Sequence, residues 1–210
     1  MEAELTIQQQ DKRARRASAA AAVGSLVEWY DFALYGAAAA LVFNHYFFSA
    51  IDPVVGLIAS FATFAVGYFA RPFGGIIFGH LGDKIGRKPV MIMTLTLMGI
   101  STALIGLLPG YDSIGVAAPI LLVLLRVFQG LGAGAEYAGA VVLSAESARP
   151  KKRGFYASWS ASGVWLGSAL GLLVFQLMLW ISGDGFLTWG WRVPFLLSLV
   201  MLVSRVIEGF

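Results

Sequence analysis

The chain lacks cysteine entirely and carries little charge. Its 210 residues include no cysteine, and only 13% of them are aspartate, glutamate, lysine or arginine. The absence of cysteine excludes disulfides, thiolate catalysis and cysteine-ligated metals. The scarcity of charge, with a hydrophobic content of 58% and a mean hydropathy of +0.76, excludes a protein whose whole surface lies in water. The composition therefore predicts an integral membrane protein.

Long apolar runs divide the chain into helical spans. A helix needs about 20 apolar residues to cross a bilayer, and prolines lie between the runs at positions 53, 89, 109 and 150. We expect an all-α membrane protein with a polar N-terminus over residues 1–16 and one six-helix transmembrane domain over residues 17–210. The predicted spans cover residues 18–46, 54–78, 90–108, 117–145, 155–181 and 189–206.

Basic residues mark every alternate connection between the runs. Lysine and arginine precede the first run and follow the second and fourth, whereas the connections near Asp52, Asp112 and Asp184 contain neither. Because basic loops stay on the cytoplasmic side, both termini are predicted to be cytoplasmic in a multi-pass plasma-membrane protein, in the inner membrane if the source is bacterial. The basic residues form no soluble face, so we expect no nucleic-acid partner.

Five ionisable residues fall inside the predicted spans. Glu28 and Asp31 lie in the first span, Arg71 in the second, and Arg126 and Glu136 in the fourth. Charge at membrane depth is costly and usually faces a cavity or a partner, so each residue is a functional hypothesis. In a bundle of two three-helix repeats, the first and fourth spans open the repeats and meet at a central substrate site.

The two acids of the first span are the strongest candidates for proton binding. Glu28 and Asp31 are three residues apart and therefore share a helix face. Two carboxylates in a site of low dielectric constant do not both ionise easily, and a neighbouring arginine favours the ionised form of whichever acid it touches. Arg126 is the best candidate partner, because it can pair with Asp31 or with a substrate carboxylate. The alternative is that Asp31 and Arg126 form a static tie between helices.

The remaining intramembrane charges have structural alternatives too. One turn of helix can direct Glu28 toward a neighbouring backbone instead of the cavity. Arg71 precedes Pro72. It either hydrogen-bonds the backbone carbonyls that a proline kink leaves free or contacts a substrate. Glu136 lies among glycines, which have no side chains to cover its carboxylate. An uncovered charge at membrane depth favours a functional role.

Aromatic residues also have two interpretations. Tyr30 and Tyr35, beside the acids, either line a pocket or pack in the core. At the predicted outer edge of the last span, an aromatic belt with a snorkelling arginine explains Trp189, Trp191 and Arg192.

Glycines recur at helical spacing in three of the spans. Residues four apart share a helix face, so such stripes let helix backbones approach closely. We interpret them as packing surfaces. They comprise Gly67, Gly75 and Gly79 in the second span, Gly130 and Gly134 in the fourth, and Gly163, Gly167 and Gly171 in the fifth.

Three patterns together resemble motifs of the major facilitator superfamily of secondary transporters. The first is the loop of glycines and charges over residues 79–88, the second is the run over residues 126–134, and the third is Glu146 followed seven positions later by Arg153. The resemblance implies the N-terminal six-helix half of a fold that has two such halves, with its six helices in a three-plus-three repeat. The second half would then be absent from this chain.

Three further runs are similar to the metabolite:proton symporters of that superfamily. They cover residues 27–32, 69–75 and 189–195. The subfamily includes carriers of shikimate, 2-oxoglutarate, citrate and proline or betaine. By this resemblance Asp31 is the proton-coupling acid and Arg126 its gating arginine.

We assign the candidate site residues to three roles. Proton coupling is assigned to Glu28, Asp31 and Glu136. Substrate contact is assigned to Tyr30, Tyr35, Arg71, Arg126 and Gln129. The resemblance implies a cytoplasmic gate made of Gly79, Asp83, Gly86, Arg87, Glu146 and Arg153, whose charges would lock the outward-open state.

The sequence therefore predicts proton-coupled symport of small organic acids or zwitterionic metabolites. We expect a lipid bilayer, a proton and a small-molecule substrate as partners, with a complementary half or a second copy as a further possibility. No nucleophile–base arrangement or metal-ligand spacing occurs, so we expect no enzyme activity, no cofactor and no metal. The alternative is a half-transporter that does not transport by itself.

Overall fold

Helices form all of the regular structure in residues 7–134 and 145–207, the part of the chain that the computed structural model describes. The all-α expectation is therefore confirmed for these residues. The α-helices are α1 (Ile7–Leu41), α2 (Phe43–Phe47), α3 (Pro53–Ile85), α4 (Arg87–Leu107), α5 (Tyr111–Ile114), α6 (Ala117–Ala133), α7 (Arg153–Ser182) and α8 (Arg192–Ile207). Short 3₁₀ segments at Pro150–Lys152 and Gly183–Gly185 and a π-helical turn at Phe186–Gly190 flank α7.

Three helical stretches of the described residues are long and apolar enough to cross a membrane. They cover Pro53–Ile85, Pro89–Leu107 and Pro150–Gly190, and the apolar helix Ala117–Ala133 is shorter. Helix α1 has ample length, but Glu28, Asp31 and several serines and basic residues make it less apolar. The count of six spans therefore stays a prediction.

Helix α1 begins at Ile7, well before the predicted start of the first span. The additional turns are held by Asp11, which accepts hydrogen bonds from Arg149 Nε at 2.9 Å and Nη2 at 2.7 Å and from Lys152 Nζ at 3.2 Å. The hydrogen bond from Arg149 keeps the pKa of Asp11 below its ordinary value. Any stability from this contact is present above the ordinary aspartate pKa and is lost as the pH falls through the lowered pKa.

The reversal between α3 and α4 takes place at a single glycine. Gly86 has φ of 92°, a left-handed value that other residues avoid, and its N–H donates to the carbonyl of Gly82 at 3.0 Å. Gly79 and Gly82 lie within α3, which continues to Ile85. The predicted loop over residues 79–88 is therefore mostly helix.

Close helix contacts confirm the interpretation of the glycine stripes in α6 and α7. Helix α7 packs along α1, α6 lies against both α3 and α4, and α4 packs against α8. A Cβ atom added at Gly163 or Gly167 would overlap the carbonyl oxygens of Ala22 or Leu26 on α1. Added at Gly130 or Gly134, it would overlap carbonyl oxygens of α3. The two pairs of backbones can touch because these side chains are absent.

The predicted aromatic belt is wrong for Trp191. Its side chain is fully buried, and its ring centroid lies 5.9 Å from that of Phe43 and 5.7 Å from that of Phe195. Trp189, in contrast, is 50% exposed. Arg192 hydrogen-bonds the Tyr46 hydroxyl and donates to the Gly106 carbonyl at 3.4 Å. Trp191 thus belongs to the core at one end of the bundle, because the π-helical turn before it directs α8 back onto α4.

We expect Gly167→Ala to destabilise the bundle. The new methyl group must displace the backbone of α1 near Leu26, and overpacking of this kind costs about 1–3 kcal/mol. The midpoint of thermal unfolding in detergent should fall. Gly154→Ala on the same helix is the matched control, since nothing lies within 4 Å of its added Cβ and alanine favours helix. A Gly167 variant as stable as the Gly154 variant would contradict the close contact.

Candidate transport site

The middle of α1 carries both buried carboxylates. Glu28 and Asp31 are each 0% exposed. Although they share a broad helix face, they contact different neighbours. Glu28 pairs with a residue of α3, and Asp31 hydrogen-bonds with a residue of α4. The two acids therefore belong to two distinct polar groups.

Glu28 forms a direct ion pair with Arg71. The distance between Glu28 Oε1 and Arg71 Nη2 is 2.8 Å. The glutamate is fully buried, whereas the arginine side chain is 19% exposed, so the pair is accessible from the arginine side only. The guanidinium carbon also lies 3.9 Å from the ring centroid of Phe32 and 5.1 Å from that of Tyr68. Burial with a partner of opposite charge offsets part of the cost of removing both ions from water.

Asp31 is connected to Arg126 through two neutral side chains. The Thr102 hydroxyl donates to Asp31 Oδ2 at 2.8 Å, and Gln129 Nε2 donates to the same hydroxyl oxygen at 2.8 Å. Arg126 Nη1 in turn donates to Gln129 Oε1. All four side chains are fully buried. Within the described contacts the acid and the arginine are linked by this relay, and the direct pair stays a prediction.

Aromatic rings surround the guanidinium of Arg126. Its central carbon lies 4.1 Å from the ring centroid of Tyr35, 4.4 Å from that of Phe32 and 5.0 Å from that of Phe64. A Cβ atom at Gly67 would overlap the guanidinium, so the arginine reaches the centre only because α3 has no side chain there. Cations are attracted to the π faces of desolvated rings, which stabilises the buried charge.

The two predicted tyrosines take different places. Tyr35 is at the site, beside Arg126, and its hydroxyl hydrogen-bonds the Thr63 hydroxyl at 2.7 Å. The Tyr30 hydroxyl instead donates to the Pro194 carbonyl at 3.0 Å and ties α1 to α8. The described contacts therefore join Tyr35 and Gln129, but not Tyr30, to the arginine.

Sequence reasoning missed the threonine and the phenylalanine that complete the site. Thr102 lies in α4, whose predicted span has no ionisable residue, although the adjacent Ser101 and Thr102 in an apolar helix are a polar signal. Phe32 follows Asp31 directly and is four residues after Glu28, on the same helix face. Nothing in the sequence indicates that two arginines from different helices converge on it.

The predicted cytoplasmic gate is only partly described. Asp83, Glu146 and Arg153 are exposed, and no ion pair within 4.0 Å joins these three described side chains. Arg87 begins α4, and its side chain lies outside the described part of the structure, as does the whole of Glu136. The described ion pairs at this end are those of Asp11 with Arg149 and Lys152. The gate therefore stays a prediction.

An apolar helical bundle with buried acids and arginines at its centre is typical of multi-pass membrane proteins that have an internal polar site. The sequence pattern of the family described as "Sugar (and other) transporter" matches residues 17–207. The chain belongs to this family of the major facilitator superfamily, whose members are transporters and not enzymes. The predicted superfamily is confirmed.

Curated relatives cover nearly the whole chain. The shikimate transporter of Escherichia coli K12 is 50% identical over 199 residues, which are 92% of this chain and 44% of the relative. The proline/betaine transporter of the same strain is 45% identical over 190 residues, or 90% of this chain and 38% of the relative. The chain thus spans less than half the length of these relatives.

Solved structures have the same fold. The proton:xylose symporter XylE of E. coli, bound to 6-bromo-6-deoxy-D-glucose, superposes with a TM-score of 0.72 over 95% of this chain and 44% of that protein. Its partially occluded inward-open form gives a TM-score of 0.74 over 93% of this chain and 49% of that protein. Sequence identity is 18% in both, so the likeness concerns the fold alone.

We expect Arg71→Met to destabilise the protein more than the double variant Glu28→Gln with Arg71→Met. The single change leaves a buried carboxylate without its ion-pair partner, which costs about 3 kcal/mol, whereas the double change removes both charges. Thermal unfolding in detergent measures the difference. Lys152→Met is the control, because exposed pairs contribute about 1 kcal/mol or less. A double variant no more stable than Arg71→Met would contradict the pairing.

Proposed function

We propose that the chain is the N-terminal half of a proton-coupled symporter for small organic acids or zwitterionic metabolites. It would form six spans in a three-plus-three repeat, with both termini in the cytoplasm. The observation that carries the proposal is the acid–arginine network, meaning the two neighbouring polar groups that each contain one buried carboxylate and one arginine between α1, α3, α4 and α6. Such groups at membrane depth are expensive and mark substrate or ion pathways.

The hydrogen bonds of Thr102 would depend on whether Asp31 is protonated. The hydroxyl has one proton and two candidate acceptors, Asp31 Oδ2 at 2.8 Å and the Met98 carbonyl at 3.0 Å. When Asp31 is ionised, Thr102 donates to it. When Asp31 takes up a proton, the acid becomes a donor, and Thr102 turns to the carbonyl and accepts from both Asp31 and Gln129. Protonation of Asp31 would thus change the hydrogen bonds of Thr102, which is connected to Arg126 through Gln129.

Arg126 is suited to binding a substrate carboxylate. Among the described residues, its Nε and Nη2 atoms have no hydrogen-bond partner, and both are buried. A guanidinium matches a carboxylate in a two-pronged geometry, so an acid would satisfy both atoms once the rings and helix that cover the arginine move aside. Arg71 is a second candidate because its side chain is partly exposed. The relatives named for shikimate and for proline and betaine support this substrate class, since these compounds carry a carboxylate.

The remaining assignments belong to the same proposal. Glu136 would be a further proton site. Asp83, Arg87, Glu146 and Arg153 would close the cytoplasmic side, assisted by the turn at Gly86 and by Gly79 in the last turns of α3.

A second candidate function is that of a half which transports only when joined to a complementary half or a second copy. It is favoured by the chain's span of 44% or less of the curated relatives' length. In that case the acid–arginine network would be one wall of a shared site.

Uptake experiments test proton coupling. The longest polypeptide that contains residues 1–210 is reconstituted into liposomes, with the 210 residues alone in parallel, and uptake of labelled shikimate, proline and betaine is followed with and without an inward proton gradient. We expect gradient-stimulated uptake by the longer polypeptide and loss of the stimulation in Asp31→Asn, because asparagine cannot exchange a proton. Asp184→Asn, an exposed acid outside the network, is the control. Uptake that ignores the gradient would refute symport.

Single introduced cysteines test the orientation, because the chain has none of its own. We expect Ser113→Cys, in an exposed connection, to react with a membrane-impermeant maleimide in intact cells. His80→Cys, at the basic end of α3, should react only after permeabilisation, since basic connections stay in the cytoplasm. The opposite pattern of labelling would reverse the proposed topology.

A further inference from the structure

One phenylalanine lies at the centre of the network. Phe32 is 2% exposed, and its ring centroid is 3.9 Å from the guanidinium carbon of Arg71 and 4.4 Å from that of Arg126. These arginines come from α3 and α6, and they belong to the two otherwise separate polar groups. A single ring therefore contacts the cation of both groups.

The ring is itself firmly held. Its centroid lies 5.0 Å from that of Tyr68 and 6.0 Å from that of Phe64, both in edge-to-face arrangements, and 6.1 Å from that of Trp29. In an edge-to-face contact, the positive edge of one ring points at the negative face of the other. Two such contacts restrict the orientation of the Phe32 ring. Because Phe32 is four residues from Glu28 and adjacent to Asp31, the same turn of α1 positions both acids and the ring.

We propose that Phe32 is a positioning residue that couples the two acid–arginine groups. Two guanidiniums near one another repel, and a ring whose π density attracts both offsets that repulsion and holds both in place. Arg71 moves, for example, when the charge of Glu28 or of a substrate changes. Such a movement alters the position of the Phe32 ring, which Arg126 also contacts. The role in transport rests on the proposed function, whereas the shared cation–π contact can be tested without transport.

Fluorinated phenylalanines at position 32 provide the test. Successive fluorines withdraw π density from the ring face and leave its shape nearly unchanged, so the bundle should still fold. The purified 210-residue chain is treated with phenylglyoxal, and the rates of modification at Arg71 and Arg126 are read by peptide mass spectrometry. Arg126 is fully buried and the Arg71 side chain is only 19% exposed. Because each guanidinium reacts faster when it leaves its contacts, the rate measures how firmly it is held.

We expect both rates to rise together with each added fluorine. The rise should reach about tenfold to thirtyfold for the fully fluorinated ring, which is what the loss of a desolvated cation–π contact implies. The matched control is fluorination of Phe175, a buried ring that contacts Phe186 edge to face and has no cation contact among the described residues. Arg192, which lies against Tyr46 and Trp191, is the internal control and should keep its rate.

Each other outcome overturns the proposal. Unchanged rates at Arg71 and Arg126 would show that the ring does not hold them. A rise at only one of them would show that the ring is not shared, and an equal rise at Arg192 would indicate general loosening. If the labelling result is as expected while no polypeptide shows gradient-driven uptake, the proposed function fails and the positioning role of Phe32 stands.

Discussion

The cost of burying two carboxylates on one helix shapes the rest of this structure. Glu28 and Asp31 have no access to water, so polar partners must reach them from neighbouring helices. Arg71 comes from α3, Thr102 from α4, and Gln129 and Arg126 from α6. Gly67 leaves the space that Arg126 occupies, and Gly130 lets α6 approach α3 closely. Helix packing and the polar centre therefore depend on each other.

The two acids are satisfied in physically different ways. Glu28 has a charged partner that remains partly exposed, whereas Asp31 accepts from a neutral hydroxyl in a fully buried relay. In the proposed function, Asp31 would carry the proton and the Glu28–Arg71 pair would connect α1 with α3. Phe32 joins the two through its contacts with both arginines.

Sequence reasoning succeeded where a local pattern was sufficient. Hydropathy predicted helices, four-residue glycine spacing predicted packing surfaces, and the few intramembrane charges predicted a polar centre. It failed where geometry depends on distant residues. Trp191 resembles an interfacial residue but is covered by Phe43 and Phe195, and the glycine loop reverses at Gly86 alone because the helix before it continues.

By itself, the sequence determined the class of protein, the helices and the small set of charged residues that the membrane makes costly. Only the tertiary structure decided which acid meets which partner. Residues three apart on a helix point about 60° away from each other, so one face can serve two neighbouring helices. Glu28 accordingly turns to α3 and Asp31 to α4. Which helix lies on which side is a property of packing, and no spacing within α1 encodes it.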